Sequence, residues 1–297
     1  MIHLNLSILT ADFHEYLAKI IFWNISCNFR IMRLTTLCFL IISTAILNSL
    51  SAQEKLTPYS KNDAFKFGEK LSYKFYYSLY INIPVGEIIM EVKSEPKMLK
   101  EKSHYHLTGK GSTFKFYDPF FKVRDHYESY VDVNTFKPSA SFRIIHEGNY
   151  NSKEYYIYDH NKNTVTNSKK RKIPTGDFTQ EILSAVYLAR TFDYSQAKIG
   201  DSFMLNIFID DSCYYAGVKY MGKTILKTKK GSYRCLILKP ILIVDRVFKS
   251  DEDMTLWVSD DRNKIPIKIY SGISVGAINV VLNDYSGLKN PMQAKLK

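Results

Sequence analysis

The sequence predicts a mainly β protein with a single antiparallel sheet and one packed helix. Apolar and aromatic residues alternate with polar ones through most of residues 68–282, as they do in strands with one buried face. Only one segment shows helical spacing, and strands do not alternate with helices as they would in a parallel sheet. Hydrophobic residues make up 45% of the chain, which excludes an intrinsically disordered protein.

The N-terminal region predicts export. Residues 34–50 form an apolar run behind a positively charged start, and small residues followed by polar ones come next. This is the pattern of a secretory signal peptide over residues 32–52, cleaved after Ser51 or Ala52. The alternative is a retained membrane anchor, for which the apolar run is marginal in length.

Residues 1–31 do not fit in front of a signal peptide, so we interpret them as a misassigned extension and Met32 as the true start. Export predicts a location in the periplasm or on the periplasmic face of the outer membrane, with no transmembrane span in the mature chain.

The formal net charge of +12 favours anionic envelope partners, or else marks a solvated surface without a specific partner. This compartment argues against nucleic acid as a partner.

The mature chain is expected to form one domain over residues 64–287, between a flexible N-terminus at 53–63 and a C-terminal tail at 288–297. The run Ile81 to Pro84 is expected to separate the first two strands, with Pro84 at a position where a missing N–H does least harm. Turn-forming residues at 159–163 and 229–232 predict hairpins. The strand candidates are 71–79, 85–92, 104–107, 123–133, 141–146, 154–158, 164–167, 202–210, 214–220, 223–228, 233–239, 254–258, 265–270 and 275–282.

One helix is predicted at residues 177–190. Ile182 and Val186 follow helical spacing, and Asp177 with Gln180 resembles an N-terminal capping box. The helix is expected to cover an open face of the sheet as a lid. The alternative is a helix that binds a partner.

The chain offers no catalytic constellation that its spacing supports. Residues 272–276 match the G-x-S-x-G pattern of a nucleophile elbow, but a strand follows them and no histidine lies beyond them, so the match is accidental. Glu128 and Glu147 could act as a hydrolytic pair only if they faced each other across a cleft. The absence of phosphate-binding, zinc-protease and C-x-x-C patterns favours a binding or structural protein over an enzyme, with no cofactor.

His104 and His106 are the candidate metal ligands. They stand two residues apart and therefore on one face of a strand. A metal would need a third ligand from a neighbour, such as His126 or Glu128. The alternative is that both histidines are surface-facing or hydrogen-bonded within the fold.

Removal of residues 1–52 leaves two cysteines, Cys213 and Cys235. An oxidising compartment permits a disulfide between them. Two free thiols are the alternative.

Aromatic residues supply the candidate ligand-binding surface. One group shares a strand face, and another crowds a loop around Pro119. Such a concentration of apolar area forms either a plug at one end of the sheet or a hydrophobic mouth for a lipid-like ligand. The candidate ligand-binding residues are Tyr73, Phe75, Tyr77, Phe114, Phe116, Phe120 and Phe121.

Several short motifs, in the same order along the chain, resemble the DUF3108 family of exported bacterial proteins. They lie at residues 67–71 (FGEKL), 85–87 (VGE), 200–203 (GDSF), 218–223 (VKYMGK), 231–235 (GSYRC) and 257–261 (WVSDD). The biochemical role of that family is unassigned, and its members resemble the LolA/LolB-like lipoprotein carriers. The resemblance implies a strongly curved antiparallel sheet, or half-open β-barrel, whose concave apolar face receives acyl chains. With one helix only, the lid over that face would be incomplete.

Three hypotheses for the function follow. The first is an exported envelope protein that binds an apolar or amphipathic ligand, such as a lipid or acyl chain, in the concave face of the sheet. The second is a scaffold or assembly factor that binds anionic envelope polymers, in part through the basic residues 169–172. The third is a carboxylate- or metal-dependent hydrolase.

Overall fold

The structure, a computed structural model, describes residues 55–56, 61–242, 254–273 and 275–296. The predicted extension at 1–31 and signal peptide at 32–52 lie outside the described residues. Within these ranges there are one α-helix, α1 (Ile182–Ala189), and one 3₁₀ turn (Lys115–Tyr117). The strands are β1 (Lys55–Leu56), β2 (Lys70–Ser78), β3 (Asn82–Val92), β4 (Lys97–Leu99), β5 (Lys102–Thr113), β6 (Arg124–Asp132), β7 (Pro138–Glu147), β8 (Tyr150–Asp159), β9 (Thr164–Asn167), β10 (Lys172–Pro174), β11 (Ser202–Ile209), β12 (Ser212–Thr228), β13 (Gly231–Leu242), β14 (Met254–Ser259), β15 (Pro266–Gly272) and β16 (Ala277–Ser286).

All sixteen strands belong to one sheet, which confirms the predicted fold class. The two-residue β1 runs parallel to β11, and the other neighbours are antiparallel. The order is β1-β11-β12-β13-β14-β15-β16-β2-β3-β5-β6-β7-β8-β9-β10, and β4 pairs with β5 beside this path. Backbone pairing does not close the sheet into a barrel, because β1 and β10 remain its two edges.

The sheet curls until its two ends meet through side chains. Asp210 and Asp211 form the turn between β11 and β12, where both have the positive φ of a two-residue hairpin. Asp210 is ion-paired with Arg143 of β7. Asp211 accepts hydrogen bonds of 2.8–3.0 Å from Asn167 and Arg171 beside β9. These contacts hold the curled sheet half-open, with a concave interior.

One predicted strand break is confirmed but lies slightly earlier, at residues 79–81, and a second is wrong; a β-bulge explains each difference. Strand β3 runs through Pro84, which lies beside a register shift where a missing N–H disrupts little. Strand β12 is one strand of 17 residues rather than two, because Gly222, with a φ of 106°, accommodates a bulge and not a turn. The two predicted hairpin turns are confirmed, with Asn163 and Gly231 at positive φ.

Helix α1 is shorter than the predicted 177–190, because the preceding residues pair with the sheet. Gln180 forms a parallel bridge to β11, with two backbone hydrogen bonds of 2.8 Å. The helix therefore starts only after Glu181, which forms its capping box with Ser184 in place of the predicted pair at 177 and 180.

Residues near both ends of the range 61–296 contact the sheet, and the predicted boundaries of the domain and its tail at 288–297 stay predictions. The Asn62 side chain is buried and donates to the hydroxyl of Tyr105 on β5 at 3.1 Å. At the other end, the Arg234 amide donates to the Ala294 carbonyl at 2.8 Å, and Ala294 is fully buried. Among the described residues, no helix combines the length and apolar character needed to cross a membrane.

Candidate functional site

Helix α1 divides the interior of the curled sheet. On one side Leu183, Tyr187 and Leu188 are buried in the main core. On the opposite side Ile182 and Val186 remain 42% and 37% exposed, although they lie inside the concave face. Apolar side chains exposed in such a place indicate unfilled space beside the helix.

Strands β11 to β14 form the wall opposite this side of the helix. Side chains two residues apart share a face of a strand, so Phe203, Leu205, Ile207 and Ile209 of β11 all point toward the helix. The neighbouring strands contribute in the same way. Their lining residues are Ala216, Val218, Leu238, Pro240, Met254, Leu256 and Val258.

A cavity of about 440 Å³ lies between helix and wall, and its lining is almost wholly apolar. This volume is within the roughly 300–1,000 Å³ of small-molecule sites. Along β11 the cavity extends from Phe203 to Ile209, about 20 Å at ~3.3 Å per residue. Ile209 and Met254 lie at one end and Lys264 at the other.

Three charged residues in the described part of the chain border the cavity, and two of them form ion pairs. Arg190 binds the carboxylate of Glu69 at 2.6 and 2.8 Å, and Asp210 binds Arg143. The half-buried Lys264 has no carboxylate within 4 Å in the described part of the chain. Burial lowers the pKa of the Lys264 ammonium, and more distant aspartates offset this in part. Among the described residues that line this cavity, Lys264 is thus the cation available to a ligand.

The strand aromatics predicted to bind a ligand do not line the cavity. Tyr73 is buried in a second core cluster with residues of β13 and β15. Tyr77 is also buried and donates a hydrogen bond to the Val275 carbonyl at 3.1 Å. Phe75 is half-buried and packs over Gly86.

The loop aromatics lie at one end of the sheet, around the 3₁₀ turn, and they do not line the cavity either. Phe114 and Phe121 are half-buried, whereas Phe116 and Phe120 are exposed. A ligand-binding role for any of the seven aromatic residues stays a prediction.

The two candidate metal ligands have different partners. His104 is buried, with its ring nitrogens bonded to the Lys102 carbonyl and the Ser139 hydroxyl at 2.9 and 2.7 Å. His106 instead bonds Glu128 at 2.8 Å. In the described part of the chain, no group of three His, Cys, Asp or Glu side chains is arranged to hold a metal ion.

Glu128 collects the hydrogen bonds of three neighbours on its strand face. His106 and His126 donate to its two oxygens at 2.8 and 2.6 Å, and Tyr130 donates at 3.0 Å. Burial opposes ionisation, but the hydrogen bonds from these three residues outweigh it and lower the pKa of the Glu128 carboxyl. Glu128 is thereby held as an anion and does not pair with Glu147.

Glu147 pairs instead with Asp125. Burial and then the Asp125 charge raise the pKa of Glu147 to about 7. Burial also raises the pKa of Asp125, whose carboxylate accepts a hydrogen bond from the His146 amide at 3.0 Å. Two adjacent carboxyl groups that share a proton in this way make folding pH-dependent.

We expect stability to fall as pH rises from about 5 to 7, by about 1 kcal/mol once the partial exposure of the pair is considered. The folded state holds a proton on Glu147 up to a pKa of about 7, whereas the unfolded chain loses it near the ordinary value of 4.5. Urea unfolding between pH 5 and 8 measures this. Glu147→Gln should flatten the slope, and Glu95→Gln, at an exposed site, should retain it. An unchanged slope in Glu147→Gln would contradict the assignment.

Cys213 and Cys235 are both free thiols, the first exposed and the second buried. Cys235 lies opposite Thr224, roughly 35 Å along β12 from Cys213 at ~3.3 Å per residue. A disulfide needs Cα atoms about 4.4–6.8 Å apart. A disulfide between Cys213 and Cys235 is therefore wrong, and the alternative of two free thiols is the one observed. Burial raises the pKa of Cys235 to about 12.

The chain is similar to several solved structures. A structure of a β-barrel-like protein of the domain of unknown function DUF1849 from Brucella abortus matches with a TM-score of 0.48 and 9% identity, covering 75% of this chain and 99% of that one. A second structure, described as an exported protein with a YmcC-like fold, comes from Bacteroides fragilis. It matches with a TM-score of 0.36 and 8% identity, covering 77% of this chain and 100% of that one. No curated protein matches the chain in sequence.

A family model gives the assignment. The model described as a protein of unknown function, DUF3108, matches residues 72–283. This match runs from β2 to β16 and takes in most of the motifs on which the resemblance rested. Because it spans well over half of the sequence, the chain belongs to the DUF3108 family.

Proposed function

We propose that this protein binds one apolar or amphipathic ligand with a single long chain, such as a lipid acyl chain, in the cavity between α1 and strands β11–β14. The apolar cavity of about 440 Å³ is the observation that carries the proposal. Burying a ligand chain there removes apolar surface from water on both sides, at roughly 25 cal/mol per Å². The elongated shape favours a chain over a compact ring system.

The polar end of the ligand is assigned to Lys264. A chain carrying a carboxylate or phosphate would set its anion beside this ammonium, which in the described part of the chain has no carboxylate within 4 Å. A charge-assisted contact in a partly desolvated place discriminates an acid from a neutral alcohol of equal length. The ligand class is therefore an anionic amphiphile, such as a fatty acid.

The site of action is assigned to the cell envelope. The signal-peptide pattern at residues 32–52 supports export, and the periplasm or the periplasmic face of the outer membrane is the compartment in which an exported acyl-chain binder would meet lipid.

A fluorescent fatty acid, cis-parinaric acid, tests the proposal. We expect saturable binding by the wild-type chain, and an affinity at least about tenfold lower for Val186→Trp, whose indole would fill the cavity. Hexadecanoic acid should displace the probe better than hexadecanol. The control is Ile144→Trp, on an exposed residue of β7 outside the cavity. The proposal fails if the wild type shows no saturable binding, or if Val186→Trp binds like Ile144→Trp.

A further inference from the structure

One end of the curled sheet exposes a large apolar surface. Alternate turns of an antiparallel sheet lie at the same end, and the pairings of Ala277 with Ser78 and of Gly86 with Thr113 set three of these turns side by side. They are the turns β15–β16, β2–β3 and β5–β6. Their exposed large side chains, called here the apolar rim, are Leu79, Tyr80, Ile81, Phe116, Phe120 and Val275.

The apolar rim contrasts with the opposite end of the sheet. Tyr80 is 94% exposed, Phe116 76% and Ile81 69%. Two turns at the opposite end, 159–163 and 260–264, consist of charged and polar residues only, and the β4–β5 hairpin at that end exposes one large apolar side chain, Met98. Large apolar side chains in water contribute nothing to this fold, and their concentration at one end marks an interaction surface.

The charges of the apolar rim are cationic. The three turns, at residues 79–81, 114–122 and 273–276, contain Lys115, Lys122 and a single acidic residue, Asp118. Both lysines are exposed, whereas Asp118 is bound by Arg124 at 2.7 and 3.0 Å. Exposed aromatic and aliphatic side chains flanked by lysines are complementary to a partner that has an apolar interior and an anionic surface.

We propose that the apolar rim docks the protein onto the surface of an anionic lipid bilayer. Tyrosine and phenylalanine insert at the level of the headgroups, and the flanking lysines bind anionic lipid. A bilayer suits separate turn tips because each side chain can enter it independently, whereas a protein partner needs one continuous face. Ile209 and Met254, at one end of the cavity, lie at this same end of the sheet. Docking nevertheless does not require the cavity to be filled.

Quenching by brominated lipid tests the docking directly, in the full chain. Tyr80→Trp and Phe116→Trp place a reporter on the apolar rim, and Ile225→Trp places one on a 59% exposed residue near the opposite end of β12. Vesicles of phosphatidylcholine and phosphatidylglycerol with brominated acyl chains are expected to quench both rim reporters and to leave Ile225→Trp unchanged. The native tryptophans and residues 1–54 are common to all variants and cancel in the comparison.

Vesicle co-sedimentation supplies a second readout. Aspartate at Leu79, Tyr80 and Ile81 should weaken binding to the same vesicles at least about tenfold. Glutamine at Lys115 and Lys122 should weaken binding to phosphatidylglycerol vesicles but not to pure phosphatidylcholine.

Equal quenching of Ile225→Trp and Tyr80→Trp would overturn the proposal. So would a dimer in sedimentation analysis that the aspartate variant dissolves while no reporter is quenched, because the rim would then bind a second copy. Failure of fatty-acid binding alone would leave these results unchanged.

Discussion

Replacing Glu69 with Gln is expected to lower the free energy of unfolding by about 3–5 kcal/mol, because it leaves a buried guanidinium without its counter-charge. Glu69 is fully buried, and the Arg190 side chain is 3% exposed. Arg190 donates to both carboxylate oxygens at 2.6 and 2.8 Å and to the Asn263 carbonyl at 3.0 Å. Its guanidinium also lies 5.3 Å from the Phe65 ring and 5.2 Å from the Tyr187 ring. The pair joins the end of α1 to the residue before β2, so its loss also loosens the helix beside the cavity.

Urea unfolding measures the effect, with Glu91→Gln as the matched control. Glu91 pairs with Lys93 at 2.7 Å at the surface, where such a pair is worth below about 1 kcal/mol. The double variant Glu69→Gln/Arg190→Met should recover much of the loss, since it removes the buried charge as well. It also serves as the test if Glu69→Gln alone fails to fold. A loss in Glu69→Gln no larger than in Glu91→Gln would contradict this account.

Replacing Gly86 with Ala is expected to cost about 2–3 kcal/mol, because the new methyl group has no room. A Cβ at Gly86 would lie 2.2 Å from the Ser112 carbonyl oxygen and 2.3 Å from Cε1 of Phe75. Strands β3 and β5 would have to separate, since the first of these contacts is with backbone. Gly86 belongs to one of the motifs by which the chain resembles its family, and this crowding gives a physical reason for glycine there.

Gly111→Ala is the control on the same pair of strands. A Cβ at Gly111 would have no neighbour within 4 Å. Alanine there should be neutral or stabilise by up to about 1 kcal/mol, because it restricts the unfolded chain. Thermal unfolding compares the two variants, and equal destabilisation would show that the crowding at Gly86 is not the cause.

The sheet could be predicted from the sequence because alternation of side chains is a local property. The same reasoning failed at Pro84 and Gly222, where the chain looks interrupted but a bulge lets the strand continue. A bulge depends on the partner strand, which is not visible locally. The start of α1 was missed for a similar reason, since Gln180 pairs with a strand that follows it in the chain.

The cavity could not be located from the sequence, because none of the seven aromatic residues singled out there lines it. Tyr73 and Tyr77 fill space in the sheet rather than leave it open. The cavity is lined mainly by aliphatic side chains, together with several small residues. Ala185 on α1 and Ala216 on β12 are such residues. Small residues at inward-facing positions were the available signal, but they become informative only once the curl is known.

The most direct test of the central claim is native mass spectrometry of the chain purified from a membrane-containing extract. The account predicts a one-to-one adduct with a molecule that carries an acyl chain and an acidic group, and loss of that adduct in Val186→Trp but not in Ile144→Trp. A wild-type protein that is ligand-free after exposure to such an extract, or an adduct that Val186→Trp retains in full, would contradict it.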